Sequence, residues 1–170
     1  MARVVLRLPH DISTDVIYPG RYMATVLPTE TPQFAFADNA EFNTKLNARQ
    51  IPPGSVIVAG KNFGCGSSRE QAASTLKGYE LTVVAESIAR IFLQNAINLG
   101  LKVYIIPGIE ASEGDELEFG QEILVNKTTG KTFKIEQLPK ARQSIIDAGG
   151  LVSYTKKRVL EKHGKNQPRK

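Results

Sequence analysis

At 170 residues and 18.6 kDa, with 41% hydrophobic residues, the chain has the length and apolar content of one compact domain. No run of about 18 apolar residues occurs, and "MARVVLRLPHD" has no long apolar stretch with a cleavage site, so a soluble, cytoplasmic protein is expected and no membrane partner is. The net charge of +5 is local: residues 156–170 hold seven Lys or Arg and one Glu, which leaves 15 basic and 16 acidic side chains elsewhere, so a nucleic-acid partner is not expected.

Along the chain, "ARVVLRL" reads as a strand, followed by the turn-rich "PHDISTD" and a short apolar "VIYP". Residues 20–33 read as a loop with Pro28 and Pro32, and "DNAEFNTKLNAR" as a short helix beginning near Asp38. From Ser55 the units alternate. "SVIVAG" is a buried-type strand, "SSREQAASTLKG" a helix with Ala72, Ala73 and Leu76 on one face and Gly78 as its stop, and "LTVVAE" the next strand. "SIARIFLQNAINLG" places Ile88, Ile91, Phe92, Asn95 and Leu99 on one helical stripe, with Ser87 as N-cap and Gly100 as C-terminal cap. "LKVYIIP" makes a third strand in this series. Single helices between such strands predict right-handed crossovers and a mostly parallel sheet. "DELEFG" and "EILVNKTTGKTFKIEQL" predict a strand and a hairpin about residues 127–130, and "PKARQSIIDAGGLVSYTKKRVLEK" a terminal helical segment broken near Gly149 and Gly150. The expected organisation is one α/β domain over residues 1–155 and a basic, mobile tail over residues 156–170. A single cysteine, Cys65, excludes an internal disulfide and cannot alone supply the thiolates of a zinc or iron–sulfur site.

The stretch "GKNFGCGSSRE", residues 60–70, has the look of a phosphate loop without fitting one. Lys61 precedes the turn where a Walker loop has its Lys after it, Arg69 stands at the third glycine of a dinucleotide fingerprint, and Glu70 replaces the last glycine of a nucleophile elbow. Its own chemistry is an anion site. Gly64 and Gly66 permit a tight turn after a strand, helix amides point into it, and Arg69 adds a forked clamp suited to a carboxylate. The alternative is structural: Ser67 and Glu70 have capping-box spacing, which would leave Arg69 solvated.

"GKNFGCGSSREQAA" followed by "VVAESIARIFLQNAINLGL" resembles the swivelling domain of the aconitase superfamily, and in particular the separate small subunits of 3-isopropylmalate dehydratases. "DISTDVIYPGRY" resembles the same family's entry motif and "IIDAGGLVSY" its C-terminal region, so the likeness spans residues 11–154. It implies a swivelling β/β/α-type α/β domain with a mostly parallel central sheet, β-hairpin additions and a C-terminal helix. It also implies a two-subunit hydro-lyase whose large partner carries a [4Fe-4S] cluster, with none bound by this chain alone. By the same likeness Ser67 would remove a proton beside a substrate carboxylate, supported by amides around Gly66. Ser68 and Arg69 would hold the carboxylates of a hydroxy-dicarboxylate. Asp15 would lie near the catalytic serine, although a turn or cap role in "STD" is as natural.

The family reads its substrate's substituent with a loop that here comprises Arg21, Tyr22, Met23, Ala24 and Thr25. Relatives that accept an extra carboxylate carry an arginine at the place of Ala24, so an apolar substituent is expected. Met23 replaces a leucine and Tyr18 an aliphatic residue of the family pattern. The resemblance implies interconversion of 2- and 3-isopropylmalate in leucine biosynthesis. Its alternatives are a 2,3-dimethylmalate dehydratase or homoaconitase subunit, an RNA-binding module or a stand-alone anion-binding module; self-association of the free subunit is a further expectation.

Overall fold

A computed structural model describes residues 1–165, with side chains through residue 161. In chain order, β1 (Ala2–Leu8) leads to the single turn α1 (Thr14–Ile17), two 3-10 turns (Gly20–Tyr22 and Thr31–Phe34) and α2 (Ala40–Asn47). Then come β2 (Val56–Ala59), α3 (Glu70–Gly78), β3 (Thr82–Ala85), α4 (Arg90–Leu99) and β4 (Lys102–Ile105). The chain closes with β5 (Glu116–Phe119), β6 (Ile123–Asn126), β7 (Thr132–Lys134), α5 (Lys140–Asp147) and α6 (Leu151–Lys165). The strands form one sheet in the order β4-β3-β2-β1-β5-β6-β7, with β1 to β4 parallel and the remaining pairs antiparallel. This is the expected α/β domain with its hairpin addition and C-terminal helix.

Adjacent parallel strands added in one direction by right-handed crossovers set their helices on one face. There Ala72, Ala73 and Leu76 of α3 and Phe92, Ala96 and Ile97 of α4 share a core with Ile57, Val83 and Ala85. The alternate residues Val56, Val58 and Val84 meet Leu117, Leu124 and Ile135 of the antiparallel half in a second core. Both faces of β2 and β3 are therefore covered, which explains the continuous apolar runs "VIVA" and "TVVA". β1 serves both cores. A register shift between Val4 and Leu6 turns Val4 toward the second core and Leu6 toward the first, though two residues apart they would ordinarily share a face.

Several expected boundaries move. α3 begins at Glu70, three residues later than its polar lead suggests, and α4 begins at Arg90. Ser87 does not cap α4; its hydroxyl accepts the Asn62 N–H at 2.8 Å. With Ile88 outside the helix, the inward stripe is Phe92, Ala96 and Ile97, while Ile91 is 46% exposed. Gly100 caps α4 in the left-handed region as expected (φ 70°). α3 does end at Gly78, but Glu80 takes the left-handed conformation (φ 54°), and Gly78 is small because a Cβ would stand 2.3 Å from Pro32 Cγ. The loop of residues 20–33 contains the first 3-10 turn and runs into the second, which ends at Phe34. α6 runs across the expected boundary at 155/156, so the basic segment is helical as far as Lys165; residues 166–170 of the expected tail lie outside the described residues. No helix among the described residues is long and apolar enough to cross a membrane.

Candidate functional site

The loops that leave the carboxyl ends of β1, β2 and β3 are laced into one layer. Gly64 and Cys65 donate their N–H groups to the Ile12 carbonyl at 2.7 and 3.1 Å, and Thr14 N–H donates to the Cys65 carbonyl at 2.8 Å. Asn62 gives its side-chain amide to Asp11 at 2.8 Å, and the Ala89 N–H donates to the Phe63 carbonyl at 2.9 Å. Gly64 is required twice over. It has φ 78°, and a Cβ there would stand 2.3 Å from Phe92 Cγ, so any side chain would lift the turn off α4. Cys65 is half-buried in this layer and free; no chemistry is assigned to it.

Ser67 and Ser68 emerge from the turn with exposed side chains. The capping box is not formed: α3 has Arg69 as N-cap and no side-chain capping bond, so its first-turn amides remain available to an anion. The Ser67 hydroxyl lies 3.3 Å from that of Thr14, whose own proton is directed to the Ser67 carbonyl at 3.3 Å. Thr14 is buried, at 1% exposure, and was not singled out by the sequence; its only signal was adjacency to Asp15 in "STD". Gly66 (φ 91°) passes close to Ser13, where a Cβ would be 3.0 Å from Oγ. The Ser68 carbonyl accepts from Asn95 at 3.4 Å.

Arg69 is held by α1 and its C-cap residue. Its Nη1 forms an ion pair with Asp15 and donates to the Tyr18 carbonyl at 3.4 Å. The guanidinium is 15% exposed and its carboxylate partner 56%, and Nε is buried with no partner among the described residues. Asp15 thus stands with Arg69, while the contact across the loop to Ser67 is made by Thr14. The turn role in "STD" falls to Ser13, whose Oγ accepts the Asp15 N–H at 3.1 Å as N-cap of α1.

The nominated specificity loop packs beside this clamp. Arg21 pairs with Asp38 at 2.5 Å and lies over the Tyr22 ring, and its fork holds the Asp38 carboxyl below the usual range. Tyr22 stacks on Phe34 with centroids 4.1 Å apart. Met23 and Ala24 are exposed and Thr25 is half-buried. Tyr18 is wholly buried, and its hydroxyl donates to the carbonyls of Tyr22 at 3.0 Å and Thr25 at 3.3 Å. Burial pushes that hydroxyl above the ordinary phenol range.

A groove of about 1110 Å³ lies at the opposite, amino ends of the parallel strands, lined by charges of both signs including Arg3, Lys102 and Glu116. It contains none of the residues nominated for chemistry. Among the described residues no three His, Cys, Asp or Glu side chains group to hold a metal. The loop layer brings together the exposed Ser67 and Ser68 side chains, the uncapped start of α3 and the largely buried Arg69 guanidinium with its Asp15 partner.

The Aconitase C-terminal domain family matches residues 10–103. The "Isopropylmalate/citramalate isomerase small subunit" of Methanocaldococcus jannaschii is 44% identical, the match covering 92% of this chain and 94% of the relative. The "3-isopropylmalate dehydratase small subunit" of Thermodesulfovibrio yellowstonii is 40% identical over 91% and 93%, and that of Heliobacterium modesticaldum 41% over 92% and 95%. The crystal structure of 3-isopropylmalate dehydratase from Methanocaldococcus jannaschii superposes with a TM-score of 0.87 at 40% identity, covering 96% of this chain and 98% of that one. The chain belongs to the Aconitase C-terminal domain family, among the 3-isopropylmalate dehydratase small subunits.

Proposed function

We propose that this chain is the small subunit of a two-subunit cytoplasmic hydro-lyase that converts 2-isopropylmalate to 3-isopropylmalate by dehydration and rehydration in leucine biosynthesis. The observation that carries the reading is the joint presentation of the exposed Ser67 hydroxyl and the Arg69 fork beside the uncapped start of α3. Arg69 binds a substrate carboxylate as a fork, with Ser68 beside it. The Ser67 oxygen takes the proton from carbon next to that carboxylate. The C–H electrons form the double bond as the C–O bond breaks, and the hydroxide would pass to an acid that the partner subunit supplies; returning the proton and the hydroxide to the opposite carbons gives the isomer. For this work the serine must act as an alkoxide, and the amides from Gly66 into α3 stabilise its charge. The Thr14 hydroxyl orients the Ser67 oxygen.

The family resemblance assigns a [4Fe-4S] cluster to the large subunit. The described side chains of this chain do not fit such a cluster, so its own groups account for carboxylate binding and proton removal, and the partner's cluster would supply the Lewis acid that takes the hydroxyl. The reading makes the small subunit inactive alone. Exposed Met23 and Ala24, with no cation at position 24, support an apolar substituent.

The test is an anaerobic assay of this chain, its cluster-bearing partner and their mixture, following the unsaturated intermediate formed from 2-isopropylmalate. Activity in the mixture alone is expected. Activity of this chain alone, or turnover of homocitrate-type tricarboxylates well above isopropylmalate, would overturn the reading.

A further inference from the structure

We infer that Tyr18 is a positioning residue that sets the shape of the substituent-reading loop, an inference that rests on the function proposed above. Its hydroxyl reaches the carbonyls of Tyr22 and Thr25, the residues that flank Met23 and Ala24. The one hydroxyl proton is shared between the two carbonyls, so the segment that presents Met23 and Ala24 is tied at both ends by one three-centre bond from a buried point. The ring beneath cannot shift: Tyr18 has no exposed surface and packs edge-on to Tyr22 and Phe34, with centroids 6.5 and 6.2 Å apart.

The same residue faces the carboxylate clamp through its backbone, since the Tyr18 carbonyl accepts from Arg69 at 3.4 Å. Tyr18 thus ties together the side that binds a carboxylate and the side that reads the substituent. An aliphatic side chain would fill the core and leave both loop carbonyls without this donor. Apart from the Arg21–Asp38 pair, the loop's remaining hydrogen bonds are few: Tyr22 N–H to the Pro19 carbonyl at 3.0 Å, Met23 N–H to the Gly20 carbonyl at 3.1 Å and Thr25 N–H to the Tyr22 carbonyl at 2.9 Å. A segment with so few bonds opens locally unless something outside it holds it.

Tyr18→Phe keeps the ring and deletes only the hydroxyl. In the isolated full-length chain, amide hydrogen exchange of Met23 and Thr25 is expected to accelerate about tenfold, with Val83 in β3 unchanged. In the assembled enzyme, KM for 2-isopropylmalate should rise with kcat nearly constant, and its kcat/KM advantage over the methyl-bearing citramalate should fall roughly tenfold. Unchanged exchange at Met23 and Thr25 overturns the latch whatever the enzyme's substrate proves to be. Faster exchange with an unchanged preference between the two substrates overturns the specificity role. Absence of dehydratase activity in the wild-type complex would defeat the proposed function instead, and the exchange result would still decide whether Tyr18 holds the loop.

Discussion

At Ser67 the competing roles of base and helix cap make opposite predictions. The structure gives it no capping bond, so Ser67→Ala should leave the thermal midpoint nearly unchanged while lowering kcat of the assembled enzyme by about 10³-fold, within the range for loss of a general base. Steady-state kinetics beside thermal melts of the same variant check both halves; near-full activity would reduce Ser67 to a turn residue. Arg69 makes a second test. Lysine keeps the charge but supplies a single ammonium where the guanidinium places Nη1 on Asp15 and the Tyr18 carbonyl and carries further N–H donors in a fixed plane. Arg69→Lys should cost roughly 10- to 100-fold in kcat/KM, the equivalent of losing one strong charge-assisted contact. Full rescue by lysine would show that charge alone suffices.

Among the elements, the hairpin rests on a buried polar pair, Asp115 and Asn126. Asp115 accepts the Ser112 N–H at 2.9 Å and the Asn126 amide at 2.8 Å, and these donors hold its carboxyl below the usual range. A depressed folded pKa stabilises the fold above the unfolded value of about 3.9 and loses that contribution as pH falls through the folded value. Asp115→Asn should therefore cost about 1–2 kcal/mol at neutral pH, and the gap should narrow as pH falls below the ordinary aspartate value of about 3.9; urea midpoints at neutral and acid pH check it, and a gap that widened on acidification would contradict the sign. The strands, the hairpin turn and the break at Gly149 and Gly150 were legible because they rest on local pattern and turn chemistry. The start of α4 was not. Ile88 continues the apolar period of the helix, yet a parallel bridge to Phe63 keeps it in an extended segment, and tertiary pairing overrides the pattern. The glycine turn that carries Ser67 and Arg69 was legible in local sequence, while the roles proposed for the two residues rest on the family resemblance; Thr14 and the Tyr18 latch depend on contacts between segments distant or irregular in sequence, which no periodicity encodes.

On the scale of the whole molecule, the question is whether the two cores act as one body, since in the proposed function base, clamp and specificity loop approach a partner together. β1 answers it by pairing with β2 on one side and β5 on the other, with Val4 in one core and Leu6 in the other. Neither half can lose its packing without disturbing the strand that completes the other. Ile57→Ala in the helix-covered core and Leu117→Ala in the hairpin core, both at fully buried sites, should each cost about 2–5 kcal/mol and lower a single shared transition. Calorimetry and far-UV circular dichroism of the two variants check this, with agreement between calorimetric and van't Hoff enthalpies as the criterion. A separate early transition in Leu117→Ala alone would divide the molecule at β1. Because the catalytic loops leave the other ends of the parallel strands, Leu117→Ala should also leave kcat of the assembled enzyme unchanged at temperatures where the chain stays folded; a loss of kcat there would mean that the hairpin core shapes the site as well as supporting the sheet.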